Sequence, residues 1–199
     1  MSERDSEKHK ARQQRLKAAV DAKVAEARTE RGIVLVLTGN GKGKSTAGFG
    51  TVLRAVGHGL HCAVAQFIKG EWPCGERNVL ERLGVPFHVM KTGFTWDTQD
   101  REGDTRAAEA VWAEVAKDLA NPAIDLVLLD ELTYMLSLHY LEVDVVVEAI
   151  QKRPPHQHVV ITGRNCHRRL VELADTVSEI APVKHAFDAG IKAQQGLDW

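Results

Sequence analysis

The sequence has few cysteines and no long apolar run, and these absences exclude two classes of protein. Its 199 residues contain three cysteines, Cys62, Cys74 and Cys166, which are widely spaced and odd in number. This pattern argues against a disulfide-stabilised secreted protein and fits a reducing compartment, so we expect a cytoplasmic location. No apolar run approaches the roughly 20 residues that cross a bilayer, and the first residues are charged, so neither a membrane span nor a secretory signal is expected.

The sequence also lacks an excess of either charge. It contains 26 Lys and Arg against 27 Asp and Glu, a formal net charge of −1. A chain with this balance has no electrostatic reason to bind nucleic acid, so we expect no nucleic-acid partner. Its hydrophobic share of 44% and charged share of 27% are those of an ordinary globular protein, and its length suits one domain with a short extension.

The extension is predicted at residues 1–31. It is dense in charge and carries Leu16, Val20 and Val24 at the spacing of a sparse apolar stripe on a helix. Two interpretations stay open: a frayed, solvated helix, or a segment that docks on the domain, on a second subunit or over an active site. The domain itself is predicted at residues 32–199.

The domain alternates apolar runs with amphipathic stretches. This alternation is typical of an α/β fold with a mostly parallel sheet and helices on both faces. The predicted strands are residues 33–37, 62–68, 87–90, 126–130, 158–162 and, more weakly, 176–180. The predicted helices are residues 44–56, 76–83, 106–119, 143–151 and 168–173. Residues 182–199 show no clean periodicity and are interpreted as a tail over the domain.

A glycine-rich segment, TGNGKGKS at residues 38–45, connects the first predicted strand to the first predicted helix of the domain. Strand, glycine-rich turn and helix is the context of a phosphate-binding P-loop, in which backbone N–H groups and the helix N-terminus hold phosphate oxygens. Lys44 supplies a cation for the phosphates, and the hydroxyl of Ser45 can bind Mg²⁺. The alternative is an ordinary glycine-rich turn, since Thr38 stands at the position of the usual first glycine and Gly39 comes one place late. The predicted nucleotide contacts in this loop are Gly39, Asn40, Gly41, Lys42, Gly43, Lys44, Ser45 and Thr46.

A second apolar strand, residues 126–130, ends in two acids, Asp130 and Glu131. This is the form of a Walker B element, whose carboxylates hold Mg²⁺ directly or through water beside a P-loop. We therefore predict Ser45, Asp130 and Glu131 as metal ligands. From the residues alone, Glu131 could also polarise a water for ATP hydrolysis.

Three further segments follow predicted strands and should face the same edge of the sheet. Arg164 could bind phosphate or could be a solvated residue of a capping turn. Phe94 and Trp96 lie in a glycine-containing loop, and they either plug the core or form a wall for a broad, flat, apolar ligand. Lys69 would line the same cleft.

Seven segments together resemble one family, the P-loop ATP:corrinoid adenosyltransferases, the housekeeping enzymes of cobalamin synthesis and salvage. The resemblance covers nearly the whole chain, and the late glycine of the loop is part of it. One departure is Ser45, where the family usually has threonine; both residues offer a hydroxyl. The segments are residues 38–46, 54–59, 66–70, 92–96, 128–134, 161–164 and 183–190.

The resemblance implies a RecA-like fold and a reaction other than hydrolysis. In such a reaction a cobalt(I) corrinoid attacks the 5′-carbon of ATP and expels triphosphate, with Mg²⁺ bound to the nucleotide. No general base is needed, so Glu131 is better interpreted as a metal ligand or positioning group. The resemblance gives Lys44, Glu131, Phe94 and Trp96 catalytic roles, the two aromatic residues by displacing the lower axial ligand of cobalt.

The resemblance also implies partners. It suggests Arg54, Lys69 and Arg164 as ligand contacts, a homodimer, and a flavodoxin or reduced flavin as electron donor. Two other functions remain as alternatives: a P-loop kinase or ATPase for small molecules, and a non-catalytic, ATP-gated corrinoid carrier.

Overall fold

The computed structural model describes residues 3–68, 73–91 and 100–199, and in residues 3–6 it describes the backbone only. The domain is built on six parallel strands in the order β3-β2-β4-β5-β1-β6. The predicted α/β class with a parallel sheet is therefore confirmed, and so is the weakly predicted last strand. The strands are β1 (Val34–Thr38), β2 (Cys62–Gln66), β3 (Phe87–Val89), β4 (Leu126–Asp130), β5 (His158–Thr162) and β6 (Thr176–Glu179).

Helices connect these strands, and all five helices predicted for the domain are present. The helix predicted at 106–119 begins earlier, at Arg101, because the side chain of Asp100 accepts a hydrogen bond from the N–H of Gly103 and caps it. One short helix, Leu132–Ser137, was not predicted. The helices are α1 (Glu3–Glu26), α2 (Lys44–Gly57), α3 (Gly75–Arg82), α4 (Arg101–Ala120), α5 (Leu132–Ser137), α6 (Val143–Gln151) and α7 (Arg168–Leu173), followed by a 3₁₀ turn at Phe187–Ala189.

The core has two parts because successive residues of a strand point to opposite faces of the sheet. In β4, Val127 and Leu129 belong to one apolar cluster, whereas Leu126 and Leu128 belong to the other. The larger cluster also contains residues of α4, α5, α6 and α7. The smaller one contains residues of α2 and α3, such as Phe49. Burial on both faces explains why the central strands are continuous apolar runs.

Polar residues end the strands at the carboxyl edge of the sheet. Gln66 ends β2, Asp130 ends β4 and Thr162 ends β5, and all three are fully buried. Gln66 and Asp130 are paired in register on neighbouring strands. The parallel arrangement therefore gathers hydrogen-bonding groups at one edge, where each strand leads into a loop.

Contacts divide the chain into two compact units, Met1–Arg31 and Gly32–Trp199. In the first unit, α1 is a single helix on which Leu16, Val20 and Val24 are 54%, 52% and 67% exposed. The functions predicted for the two units, including the extension as a cover, stay predictions. Among the described residues, no helix is both long and apolar enough to cross a membrane.

Candidate active site

The glycine-rich loop follows β1 and packs against the backbone that follows β6. The N–H of Gly41 donates to the carbonyl of Ile180 at 2.6 Å. A β-carbon added at Gly41 would lie 2.7 Å from the carbonyl oxygens of Ile180 and Ala181. At Gly39 the backbone is left-handed, with φ 100°, and an added β-carbon would lie 2.6 Å from the same Ile180 oxygen. Gly39, the late glycine of the loop, is therefore required because the loop lies directly against the backbone that follows β6.

Lys44 begins helix α2 directly after this loop. Its side chain is only 6% exposed, and its Nζ donates to the carbonyl oxygen of Gly41 at 2.8 Å. Burial lowers the pKa of Lys44; the Glu131 carboxylate opposes this shift, Arg164 adds to it, and Asp130 opposes it. An ammonium group thus lies inside the turn of the loop, close to two acids and one guanidinium.

Asp130 is fixed at the end of β4 by neighbouring strands. The hydroxyl of Thr162 donates to Asp130 Oδ1 at 2.8 Å, and the side-chain amide of Gln66 lies 3.4 Å from Oδ2. The same Thr162 hydroxyl accepts a hydrogen bond from the N–H of Glu131 at 2.9 Å. One buried hydroxyl therefore orients both predicted acids.

Glu131 leaves the strand in a left-handed conformation, with φ 61°, and this bend directs the chain into α5. Gly163 lies close by, with φ 139°, and a β-carbon there would lie 2.0 Å from Thr133 Oγ1 and 3.2 Å from Glu131 Oε2. The buried Thr133 hydroxyl has no hydrogen-bond partner among the described residues. The turn after β5 therefore needs glycine so that Glu131 and Thr133 can approach it.

A cavity of about 1030 Å³ opens beside these groups. The glycine-rich loop forms part of its lining, and residues of α2, of α3 and of the last turn of the chain form further parts. Its size is at the upper end of the range for small-molecule sites. The lining residues are Asn40–Ala47, Phe49, Gly50, Leu53, Gly75, Glu76, Val79, Leu80, Glu131, Arg164, His185 and Gly196–Trp199.

Most of the predicted site residues meet at this cavity. Every loop residue from Asn40 to Thr46 lines it, together with Glu131 and Arg164. Gly39 and Asp130 are not among the described lining residues, although each is next in sequence to one of them. Arg54 is exposed in the last turn of α2 and is also not one of them. Three predicted residues, Lys69, Phe94 and Trp96, lie outside the described residues, so their roles stay predictions.

Other residues of the site were missed by sequence reasoning. Thr162 and Gln66 could have been found, because each is a polar residue that ends an apolar strand, as Asp130 does. Asp198 had no comparable signal. It forms an ion pair with Lys42 across 156 residues of sequence, and the segment that carries it has no periodicity.

Oxygen donors at the cavity fit a hard divalent cation. The hydroxyl of Ser45 and the carboxylate of Glu131 belong to residues that line it, and oxygen is the donor that Mg²⁺ prefers. Asp130 is already hydrogen-bonded by Thr162 and Gln66 and is fully buried, which suits an indirect contact through water. Among the described residues, no group of three or more His, Cys, Asp or Glu side chains could hold a metal ion by itself.

The parallel sheet, the strand order and the loop between β1 and α2 define a RecA-like fold of the P-loop class. Comparisons with known proteins give the family. The family described as "ATP:corrinoid adenosyltransferase BtuR/CobO/CobP" matches residues 30–199, and "Cob(I)alamin adenosyltransferase N terminal" matches residues 1–24. The chain belongs to the ATP:corrinoid adenosyltransferase family, as its resemblance predicted.

Curated relatives are similar along nearly their whole length. The corrinoid adenosyltransferase of Escherichia coli (strain K12) is 62% identical over 193 residues, which cover 97% of this chain and 98% of the relative. "Corrinoid adenosyltransferase CobA" of Salmonella typhimurium is 61% identical with the same coverage. The corrinoid adenosyltransferase of Pseudomonas aeruginosa is 52% identical over 195 residues, 97% of this chain and 96% of the relative.

Proposed function

We propose that this protein transfers the 5′-deoxyadenosyl group of ATP to the cobalt(I) of a corrinoid and releases triphosphate, in adenosylcobalamin synthesis and corrinoid salvage. The observation that carries the proposal is the family match over residues 30–199, which includes the loop, the acidic strand end and the cavity between them. The cavity has room for a nucleotide.

The polyphosphate of ATP binds where the glycine-rich loop lines the cavity. Backbone N–H groups of the loop and the start of α2 supply partial positive charge there, and Lys44 supplies a full one. The leaving group is the whole triphosphate. These groups therefore stabilise the negative charge that develops on it as the bond to the 5′-carbon breaks.

Ser45 and Glu131 are the residues that would hold a Mg²⁺ ion, with Asp130 acting through water. A bound Mg²⁺ would neutralise charge on the phosphate oxygens. Thr162 orients the acids for this role, because it donates to Asp130 and accepts from the backbone of Glu131. A transfer to cobalt requires no water-activating base, so Glu131 is proposed to act on the metal and not on water.

The reaction balances without an added proton donor. The electron pair of cobalt(I) forms the bond to the 5′-carbon, cobalt becomes cobalt(III), and the electron pair of the broken C–O bond leaves with triphosphate. Reduction to cobalt(I) is proposed to use electrons from a flavodoxin or a reduced flavin. Phe94 and Trp96 are proposed to displace the lower axial ligand of cobalt, which makes this reduction easier.

The two units of the chain are proposed to have different tasks. Residues 32–199 bind the nucleotide and the corrinoid, and residues 1–31 cover the site of their own chain or of a partner. Arg54, Lys69 and Arg164 contact the substrates, and Arg164 lines the described cavity. The protein is proposed to be a cytoplasmic homodimer.

An anaerobic assay with ATP, Mg²⁺ and chemically reduced cob(I)alamin tests the function. We expect adenosylcobalamin by its absorption spectrum and one equivalent of triphosphate by phosphorus NMR. ADP or inorganic phosphate with unchanged corrinoid would instead identify a kinase or ATPase. Tight binding of corrinoid with no product of either kind would identify a carrier.

A further inference from the structure

The last residues of the chain form part of the cavity wall. Residues Gly196–Trp199 line the cavity beside the glycine-rich loop. The side chain of Asp198 forms an ion pair with Lys42, which lies between two glycines of the loop. A segment that is distant in sequence thus supplies a negative charge to a loop that the proposed function assigns to phosphates.

The carboxylate of Asp198 is held in place by its own turn. Its Oδ2 accepts a hydrogen bond from the N–H of Gln194 at 2.7 Å, and its own N–H donates to the Gln194 carbonyl at 2.8 Å. The N–H of Gly196 donates to the carbonyl of Trp199 at 2.8 Å, which closes the turn. One carboxylate oxygen is therefore used locally, and the other is presented to Lys42.

This environment keeps Asp198 ionised. The hydrogen bond from Lys42, the hydrogen bond from the Gln194 backbone and the charges of Lys42 and His185 lower the pKa of Asp198. His185 also lines the cavity. A permanent negative charge at this place opposes the entry of a polyanion and occupies a lysine that a polyanion would use.

We propose that Asp198 is a positioning residue that holds Lys42 as a counter-ion until the phosphates of the substrate replace it, and that it thereby sets the affinity of the loop for triphosphate. The proposal rests on the proposed function, which places triphosphate in this loop. Both side chains are partly exposed, Lys42 to 43% and Asp198 to 24%, so the exchange needs no opening of the core. Because triphosphate is also the product, the same competition promotes its release.

Binding of inorganic tripolyphosphate, measured by titration calorimetry on the full chain, tests this proposal. The variants are Asp198→Asn, Lys42→Met and the double variant, with thermal melts to show that each is folded. Asp198→Asn should bind tripolyphosphate about three- to fivefold more tightly, the size that one exposed ion pair contributes. The Lys42→Met variant should bind tripolyphosphate more weakly than the unaltered chain. Adding Asp198→Asn to Lys42→Met should not increase the affinity further.

Glu148→Gln is the matched control, because it removes a carboxylate from another exposed ion pair, formed with Lys152 just after α6, and neither residue lines the cavity. It should leave the affinity unchanged. An unchanged or weaker affinity of Asp198→Asn would overturn the proposal. An equal gain with and without Lys42 would also overturn it, since Asp198 would then act on the phosphates directly.

The result can be separated from the proposed function. If the protein forms adenosylcobalamin but Asp198→Asn binds tripolyphosphate like the unaltered chain, only the role of Asp198 is wrong. If the affinities change as expected but no adenosyl group is transferred, the role of Asp198 stands and the reaction is wrong. A protein that binds no tripolyphosphate contradicts the role of Asp198.

Discussion

The cavity has a buried wall and an exposed rim, and the two differ in how their charged groups are held. The group called the buried wall consists of Lys44 and the half-buried Glu131, which line the cavity, and of Asp130 and Thr162, which are hydrogen-bonded beside Glu131; Lys44 is 6% exposed, and Asp130 and Thr162 are fully buried. The exposed rim consists of Lys42, Arg164 and Asp198. Solvent reaches the ion pair between Lys42 and Asp198, and Arg164 is exposed. The wall is fixed by strand ends and backbone contacts, whereas in the rim a side-chain ion pair joins Lys42 to Asp198, whose carboxylate also accepts from the N–H of Gln194.

This difference separates two contributions to activity. Charges held in a water-poor setting act strongly on a developing charge and cost little reorganisation during the reaction. Charges at the surface are screened by water and salt, and one exposed pair contributes about 1 kcal/mol or less. The buried wall should therefore govern the rate of transfer, and the exposed rim should govern affinity. Substitutions in the two groups of residues test this separation.

Gly41→Ala should have the largest effect on stability, because it displaces the loop whose Gly41 carbonyl holds Lys44 of the buried wall. Its β-carbon would collide with the carbonyl oxygens of Ile180 and Ala181, which are backbone atoms and cannot rotate away. We expect a loss of about 2–3 kcal/mol in the free energy of unfolding, as for overpacking, and at least a tenfold weaker affinity for ATP. Urea unfolding and calorimetry measure these two quantities.

Gly57→Ala is the control for that substitution. A β-carbon at Gly57, at the end of α2, would meet nothing within 4 Å. This variant should be as stable as the unaltered chain or slightly more stable. Equal losses at Gly41 and Gly57 would mean that the loop is not held by its contact with the backbone after β6.

Thr162→Val should separate the two acids from their common support. The valine has nearly the same shape but neither donates to Asp130 nor accepts from the N–H of Glu131. We expect a loss of about 1–3 kcal/mol in stability and a slower transfer with a raised requirement for Mg²⁺. Transfer rates measured across a range of Mg²⁺ concentrations check this. A rate and Mg²⁺ dependence like those of the unaltered chain would show that Thr162 does not support a metal site.

The affinity of the protein for tripolyphosphate should begin to fall at a lower alkaline pH than it would if Lys44 had the pKa of an exposed lysine. Burial lowers the pKa of Lys44, so its ammonium loses its proton at a lower pH than an exposed lysine does. A polyanion prefers the protonated form, and affinity therefore falls as pH rises above this lowered pKa, by at most about tenfold per pH unit. Calorimetry from pH 8 to pH 10 follows the decline. Lys44→Arg should show a flatter profile, and identical profiles would contradict the assignment.

Arg164→Ala should have the smallest effect, since this side chain belongs to the exposed rim. We expect the affinity for ATP to weaken about three- to fivefold, with the rate at saturating ATP nearly unchanged. Steady-state kinetics that give both kcat and the KM for ATP show whether the variant has lost affinity or rate. A large fall in kcat with little change in KM would place Arg164 in the chemistry and blur the distinction between wall and rim.

The sequence predicted the buried wall better than the exposed rim. The wall follows from local patterns: apolar strands that end in polar residues, and a glycine-rich turn that leads into a helix. The parallel sheet then brings these strand ends together, so Lys44 and Glu131 both line the cavity, and their roles stay predictions. Thr162 was missed as a site residue although it obeys the same pattern, because only Asp130 and Glu131 were recognised as chemically reactive strand ends.

The exposed rim depends on contacts between distant segments. Nothing in residues 194–199 predicts that they turn back on themselves and place Asp198 beside Lys42. The contact of Gly41 with the backbone after β6 is of the same kind, since it joins residues about 140 positions apart that share no side-chain pattern. The short helix α5 was missed because its apolar residues follow the apolar strand β4 almost directly in sequence. The strand and the helix are separated by the left-handed backbone of Glu131, and no pattern of residue types predicts that conformation.

The rate of adenosyl transfer in a single turnover at saturating ATP, compared between Lys44→Met and Lys42→Met, tests the separation most directly. Both substitutions remove an ammonium group from the same loop, one from the buried wall and one from the exposed rim. We predict that Lys44→Met slows transfer about 100-fold or more, whereas Lys42→Met keeps the rate within about threefold and only weakens ATP binding. Equal losses of rate, or a greater loss for Lys42→Met, would contradict the account.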